Sequence, residues 1–326
     1  MTECTLVEAV NLALARAMEA DERVLVLGED VGVDGGVFRA TAGLINRFGP
    51  ERVRDTPLSE TVIAGLSVGL AAQGFRPVAE IQFMGFIYPT LDQLVSHASR
   101  LRTRTRGRLT CPLVLRAPYG GGIHAPEHHS ESTEAMFAHI PGLRVVIPSS
   151  PRRAYGLLLS AIRDPDPVVF LEPKRIYRAI KEDVGDSGGG EALDTCFVLR
   201  EGQDVTLVTW GAMAVETLAA ADRLEDAGVD AEVLDVATLK PLDAEAILQS
   251  VEKTGRCVIV HEAPQTCGYG AEIAARIAEY GLLSLLAPVL RVTGYDTVMP
   301  LPRLEHHYMP TTERIVRAAR TTLDYA

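Results

Sequence analysis

Two stretches of the chain gather side chains able to move protons. The first is Asp55-Thr56-Pro57-Leu58-Ser59-Glu60, which runs directly into the segment Thr61 to Gly69. Ser59 or Thr56 can open a helix there, leaving Glu60 in its first turn, where a carboxylate complements the helix dipole for roughly 0.3–1 kcal/mol. Taken alone, that is a structural task. Gly65 and Gly69 shift the balance, because two glycines four residues apart share one helix face and let another helix approach closely. The second stretch is Tyr119-Gly120-Gly121-Gly122-Ile123-His124-Ala125-Pro126-Glu127-His128-His129-Ser130. Metal binding is its obvious rival reading, but the adjacent His128 and His129 project differently and no regular ligand spacing supports a zinc site. A dinucleotide fingerprint is excluded too: its glycines must follow a strand and open a helix, and Pro126 interrupts that register. A flexible, partly exposed loop bringing one imidazole to a substrate fits better.

The elements that must position these residues alternate between helical and strand patterns. Thr5 to Glu8 forms a capping box, after which Leu6, Val10, Leu14 and Met18 follow at helical spacing. Short apolar strands are expected at Val24 to Leu27, Val78 to Ile81, Leu113 to Leu115, Val145 to Ile147 and Val168 to Leu171, each bounded by Pro, Gly or charge. Alternation of this kind predicts a parallel sheet covered by helices, with ligands beyond the carboxyl ends of the strands. Between Lys181 and Gln203 the pattern breaks into charge and Gly188-Gly189-Gly190, which predicts a domain boundary. A second α/β unit follows, with strands at Val205 to Thr209, Ala231 to Val236, Cys257 to Val260 and Val289 to Val292. Its helices are expected near Ala214 to Ala227, Asp243 to Lys253 and Gly270 to Gly281.

Bulk composition narrows the class. With 326 residues, 47% hydrophobic and 23% charged, the chain reads as two globular domains. It lacks the ~18–20 consecutive apolar residues of a membrane span and the basic start and apolar run of a signal peptide, so a cytoplasmic protein is expected. A net charge of −11 disfavours a nucleic-acid partner and suits a basic protein partner. The basic run Arg100 to Arg108 reads as a solvated helix end or a subunit contact, and the five cysteines, without a C-x-x-C pair, as reduced and structural.

The spacing Glu60-x4-Gly65-Leu66-x-x-Gly69 resembles the pyrimidine-domain motif of thiamine diphosphate enzymes, with Leu70 where that motif usually ends in Gln. Further phrases run the length of the chain: Leu27-Gly28-Glu29-Asp30-Val31-Gly32, Gly35 to Arg39, Gly74-Phe75-Arg76-Pro77, Glu80-Ile81-Gln82-Phe83, Ile147-Pro148-Ser149, Tyr269-Gly270-Ala271-Glu272 and Ala287 to Gly294. Together they resemble the beta subunits of 2-oxo acid dehydrogenases. That resemblance implies an α/β fold of two parallel-sheet domains. A transketolase-like pyrimidine-binding domain would span 1–185, a linker 186–203, and a transketolase C-terminal-like domain 204–326, the last serving dimer and acyltransferase-core contacts.

It also implies a site shared between chains. An alpha subunit, in an α2β2 heterotetramer, would hold magnesium and the diphosphate of thiamine diphosphate, since nothing here matches the Gly-Asp-Gly to Asn-Asn segment that does so. On this chain Glu60 would meet the aminopyrimidine ring, Leu58 would offer backbone contact and Gln82 would lie at a cofactor position. Phe86 would stack on the ring, although core packing is its plain alternative. His129 would orient the intermediate or move a proton as the acyl group passes to a lipoyl arm of the dihydrolipoyl acyltransferase core, with His124 and His128 as lesser candidates. Main-chain carbonyls of Leu113, Ala161, Ile162, Asp164 and Asp166 would hold a structural potassium ion, and Asp296 would dock the acyltransferase. The phrases Glu172-Pro173-Lys174-Arg175-Ile176-Tyr177-Arg178 and Glu134 to His139 resemble branched-chain members more than pyruvate members, so branched-chain 2-oxo acids are the expected substrates, with pyruvate or acetoin relatives as the alternative. A non-catalytic α/β scaffold is the reading from another class, and the joint presence of Glu60 and His129 stands against it. A self-sufficient transketolase-like enzyme is disfavoured, because such a chain would carry its own diphosphate domain.

Overall fold

A computed structural model describes residues 2–325 of the chain. These divide into two compact units, 2–119 with 136–193, and 120–135 with 194–325. The boundary at 193/194 falls inside the expected linker, but two details depart from the expectation. Residues 194–203 belong to the second unit and include the strand Phe197–Arg200. The histidine-bearing segment 120–135 also groups with the second unit, although it interrupts the first in sequence.

In the first unit six parallel strands stand in the order Arg144–Val146, Val168–Pro173, Val114–Tyr119, Arg76–Glu80, Val24–Gly28 and Val53–Asp55. Strand Val24–Gly28 is buried at every position, as its unbroken apolar run predicts for a sheet covered on both faces. The helix Leu6–Ala20 begins at the Thr5–Glu8 capping box and packs on the helix Pro151–Arg163, apolar face to apolar face. The interior also holds a charged cluster. Arg116, 1% exposed, donates to Glu172 at 2.6 and 3.0 Å and to Glu80 at 2.8 Å, and the Tyr177 hydroxyl donates to Glu172 at 2.6 Å. Each buried charge there has an opposite partner, which is the condition on which such groups survive out of water.

The second unit has five strands in the order Leu290–Gly294, Cys257–Pro264, Val205–Thr209, Ala231–Asp235 and Phe197–Arg200, the last antiparallel to its neighbour. Helices Met213–Glu225, Ala244–Thr254 and Gly270–Tyr280 alternate with them, close to the expected spans, and the amphipathic helix Thr312–Leu323 is an addition. Four cysteines are buried, Cys267 is exposed, and none is paired. Among the described residues no helix is long and apolar enough to cross a membrane.

Candidate functional site

Three adjacent strands of the first unit end on one edge, and their continuations carry the candidate residues. Gly28 lies beside both Asp55 and Glu80 in the sheet register. After these strand ends come Glu29-Asp30, the Thr56-to-Glu60 turn, and Ile81-Gln82. Parallel sheets bind ligands at this edge because every strand exposes its carboxyl end there. A Cβ on Gly28 would meet the Glu80 carbonyl at 2.7 Å, so only glycine lets these strand ends lie so close.

Glu60 is the first residue of the helix Glu60–Ala72, with Ser59 as its N-cap. The Ser59 hydroxyl makes no capping hydrogen bond, so the negative charge of Glu60 serves the helix terminus instead. The residue that sequence reasoning missed is Glu29. It is 7% exposed, its Oε1 has no hydrogen-bond partner, and its proton is held above the usual carboxylate range by burial first, then by the charges of Glu60 and Asp30. The available signal was a carboxylate directly after a buried parallel strand. The Thr56 hydroxyl is likewise buried without a partner. Two polar atoms left unsatisfied at one strand edge fit a site whose ligand supplies their hydrogen bonds.

The other first-unit candidates surround this edge. Leu58 is 80% exposed, and Val62 and Leu66 continue that exposed apolar face along the helix. A Cβ on Gly69 would meet nothing within 4 Å, whereas one on Gly65 would press on Gln93 at 3.3 Å. Only Gly69 therefore opens onto free space, and Gly65 packs on its own chain. Gln82 donates from Nε2 to the Asp30 carboxylate at 3.1 Å. Phe86 meets Phe83 edge-on at 5.9 Å between centroids, Phe83 meets Phe38 at 5.5 Å, and Phe38 leans on Tyr177 at 5.2 Å. Phe86 is half-buried and joins an aromatic row, and both its packing and its stacking readings keep a physical basis.

The potassium candidates lie just before the strand Val114–Tyr119 and on the last turn of the helix Pro151–Arg163 with the loop after it, segments joined where Cys111 N donates to the Pro165 carbonyl at 3.1 Å. The carbonyls of Ile162 and Asp164 accept from Arg76 at 2.8 and 3.2 Å, and that of Leu113 accepts from Val168 N at 2.9 Å. A carbonyl oxygen has two lone pairs, so these contacts leave acceptor capacity for a monovalent cation. The Ala161 carbonyl accepts from Asp164 N at 3.3 Å, and the side chains of Asp164 and Asp166 pair with Arg144 and Arg102. No group of three or more His, Cys, Asp or Glu side chains among the described residues could hold a metal ion, so the three loop histidines do not converge as a metal site.

In the second unit, His129 ends the short helical turn Glu127–His129. Ser130 behind it is fully buried and donates its hydroxyl to the Pro126 carbonyl at 3.2 Å. The glycine half of this loop is held by side chains: Gly121 N donates to Glu262 at 2.8 Å, and Gly122 N and His124 N donate to Glu305 at 2.6 and 2.9 Å. The expected freedom of the glycine run is therefore replaced by close packing. The His124 side chain itself is 74% exposed. Asp296 is exposed, but its carboxylate accepts from Thr266 N at 2.8 Å and from the Thr266 hydroxyl at 2.6 Å, and those bonds hold it below the usual carboxylate range.

Comparison with known proteins adds the following. The model of the transketolase pyrimidine-binding domain matches residues 2–180, and that of the transketolase C-terminal domain matches residues 194–315. Similar curated proteins include the pyruvate dehydrogenase E1 component subunit beta of Bacillus subtilis, 48% identical over 325 residues with all of both chains covered. The protein of the same name from Acholeplasma laidlawii is 49% identical over 320 residues, covering 98% of each chain. Among solved structures, a split gene transketolase, described as an inactive beta4 tetramer, superposes with a TM-score of 0.82 at 23% identity and covers 99% of both chains, a likeness of fold.

Proposed function

We propose, for a chain that belongs to the beta subunits of thiamine-diphosphate-dependent 2-oxo acid dehydrogenases, that it completes a pyruvate-decarboxylating site together with an alpha subunit and passes the acyl group to a lipoyl arm. The observation that carries this reading is the strand edge where Glu60 and the buried, underbonded Glu29 and Thr56 lie beside the exposed helix face of Leu58, Val62, Leu66 and Gly69. Polar groups awaiting a ligand next to an apolar face awaiting a chain are what half of a shared site requires. The branched-chain preference read from local phrases gives way to pyruvate, because full-length relatives at 48% and 49% identity carry the pyruvate name. Phrases such as Glu172 to Tyr177 serve the buried Arg116 cluster and the aromatic row, so they report on core packing before they report on substrate.

Thiamine diphosphate, when bound, would supply the nucleophilic carbon that decarboxylation of a 2-oxo acid requires. The chain's own residues prepare for that. Glu60 gives and takes a proton at the aminopyrimidine ring, beside Glu29, whose proton affinity is raised by burial and then by the charges of Glu60 and Asp30. Leu58 offers main-chain contact, the ring of Phe86 offers a stacking surface, and Gln82, fixed by Asp30, borders the ring. His129 orients the acyl group and moves a proton during its transfer to the lipoyl arm. The diphosphate and magnesium fall to the alpha subunit in an α2β2 assembly. Asp296 contributes to acyltransferase docking, and the carbonyls of Leu113, Ala161, Ile162, Asp164 and Asp166 hold potassium.

The test is co-expression with the alpha partner and measurement of decarboxylation of pyruvate and of 3-methyl-2-oxobutanoate. Wild type should favour pyruvate in kcat/KM, and a preference for the branched acid would reverse the substrate assignment. Glu60→Gln should lower turnover by at least ~100-fold while the tetramer persists. Near-normal turnover in that variant would remove Glu60 from the chemistry.

A further inference from the structure

The histidine loop leaves Tyr119 in an unusual backbone path. Gly120, Gly122 and His124 all have left-handed φ, at +84°, +83° and +57°. Alternation of this kind turns successive amide N–H groups toward one side, a concavity that accepts an anion. Here the anions are the chain's own. Glu262, 2% exposed on strand Cys257–Pro264, receives the amide of Gly121, while Glu305, 3% exposed at the start of the short helix Glu305–Tyr308, receives those of Gly122 and His124. These are charge-assisted bonds to buried carboxylates, stronger than neutral ones and costly to leave unmade.

Side chains of the second unit close around the glycines. A Cβ on Gly120 would meet Glu262 Oε1 at 2.5 Å, and one on Gly121 would meet Met299 Cε at 2.6 Å. His124 is the one residue of the three for which left-handed backbone is strained, and Glu305 takes its amide directly. The loop base is closed as well. Gly120 N donates to the Glu131 carbonyl at 3.1 Å, two residues beyond His129, while His129 N donates to Pro126 at 2.9 Å. Whatever fixes residues 120–124 therefore also limits where the imidazole of His129 can stand.

We propose that Glu262 and Glu305 are positioning residues for His129, so that the C-terminal unit takes part in acyl transfer as well as in assembly. This rests on the role given to His129 above. Glu305→Gln leaves one acceptor oxygen but turns an amide group toward the second backbone N–H, so the clamp opens without loss of side-chain volume.

In the α2β2 complex, Glu305→Gln and Glu262→Leu, which leaves Gly121 N without an acceptor, should each slow acyl transfer to a lipoylated domain by ~10- to 100-fold through kcat. Pyruvate decarboxylation read with an artificial electron acceptor should stay within about 2-fold. In a His129→Ala background the same substitutions should cost nothing further, whereas a contribution to the fold alone would add its full effect again. Hydrogen exchange at the amides of 121, 122 and 124 should quicken in the single variants, and Glu305→Asp should restore part of the protection. Equal losses with and without His129, or unchanged exchange, would overturn the proposal. A wild-type complex that failed to decarboxylate any 2-oxo acid would instead overturn the function assigned above, with the exchange result still deciding whether the clamp exists.

Discussion

The two regions that carry the candidate functional side chains are finished to different degrees. At the strand edge of the first unit, polar atoms of Glu29 and Thr56 lack partners and Leu58, Val62 and Leu66 face outward. In the loop of the second unit the amides of 121, 122 and 124 are met by carboxylates from the same chain. On the function proposed above, cofactor chemistry shared between polypeptides must remain open until the second polypeptide arrives. Positioning of a mobile substrate arm can be built in beforehand. The difference teaches that unsatisfied groups mark where a molecule is incomplete, while satisfied strain marks where it is already set.

The strongest way to break this contrast is to deny the open edge its partner. Leu66→Glu combined with Gly69→Leu alters only exposed positions, so the chain should fold, yet the proposed heterotetramer should fall apart in analytical ultracentrifugation at micromolar concentration. An intact tetramer would move the alpha contact elsewhere. Next in size, His129→Ala should depress acyl transfer to lipoyl by ~100-fold while decarboxylation with an artificial acceptor changes little. Parallel loss of both activities would make the loop part of the decarboxylation site. The smallest effect concerns Glu29. Its folded-state proton affinity is raised, so its contribution to stability is complete below the ordinary carboxylate value of 4.5 and is lost as pH rises through the raised folded value. Glu29→Gln should therefore flatten that loss and lift Tm at pH 7 by ~1–3 °C. A lower Tm would show that the ionised carboxylate stabilises the protein.

Much of this was legible in one dimension. Unbroken apolar runs such as Val24 to Leu27 located the parallel strands, and the turn from Asp55 to Glu60 located the start of the helix Glu60–Ala72. Glu29 is hidden from a reading of the sequence because its character comes from burial that no local pattern records and then from the charge of Glu60, thirty-one residues later in sequence. The loop was read as flexible because glycines allow freedom, and its restraints lie 141 and 183 residues downstream in Glu262 and Glu305. Phe197–Arg200 was absorbed into a linker since a four-residue edge strand between charged segments carries little periodicity. Substrate preference was the least legible of all, as the phrases that suggested it are occupied with internal contacts.

Because residues 120–135 leave one unit to lodge in the other, the chain crosses between its two units three times. Neither half is a contiguous stretch of gene. A fragment ending near residue 193 would carry His129 but leave behind both acidic anchors, and a fragment beginning at 194 would carry the anchors with nothing to hold. Swapping C-terminal halves between related enzymes would then transplant control of the histidine along with assembly, and chimaeras should work best when the 120–135 segment travels with the half that grips it.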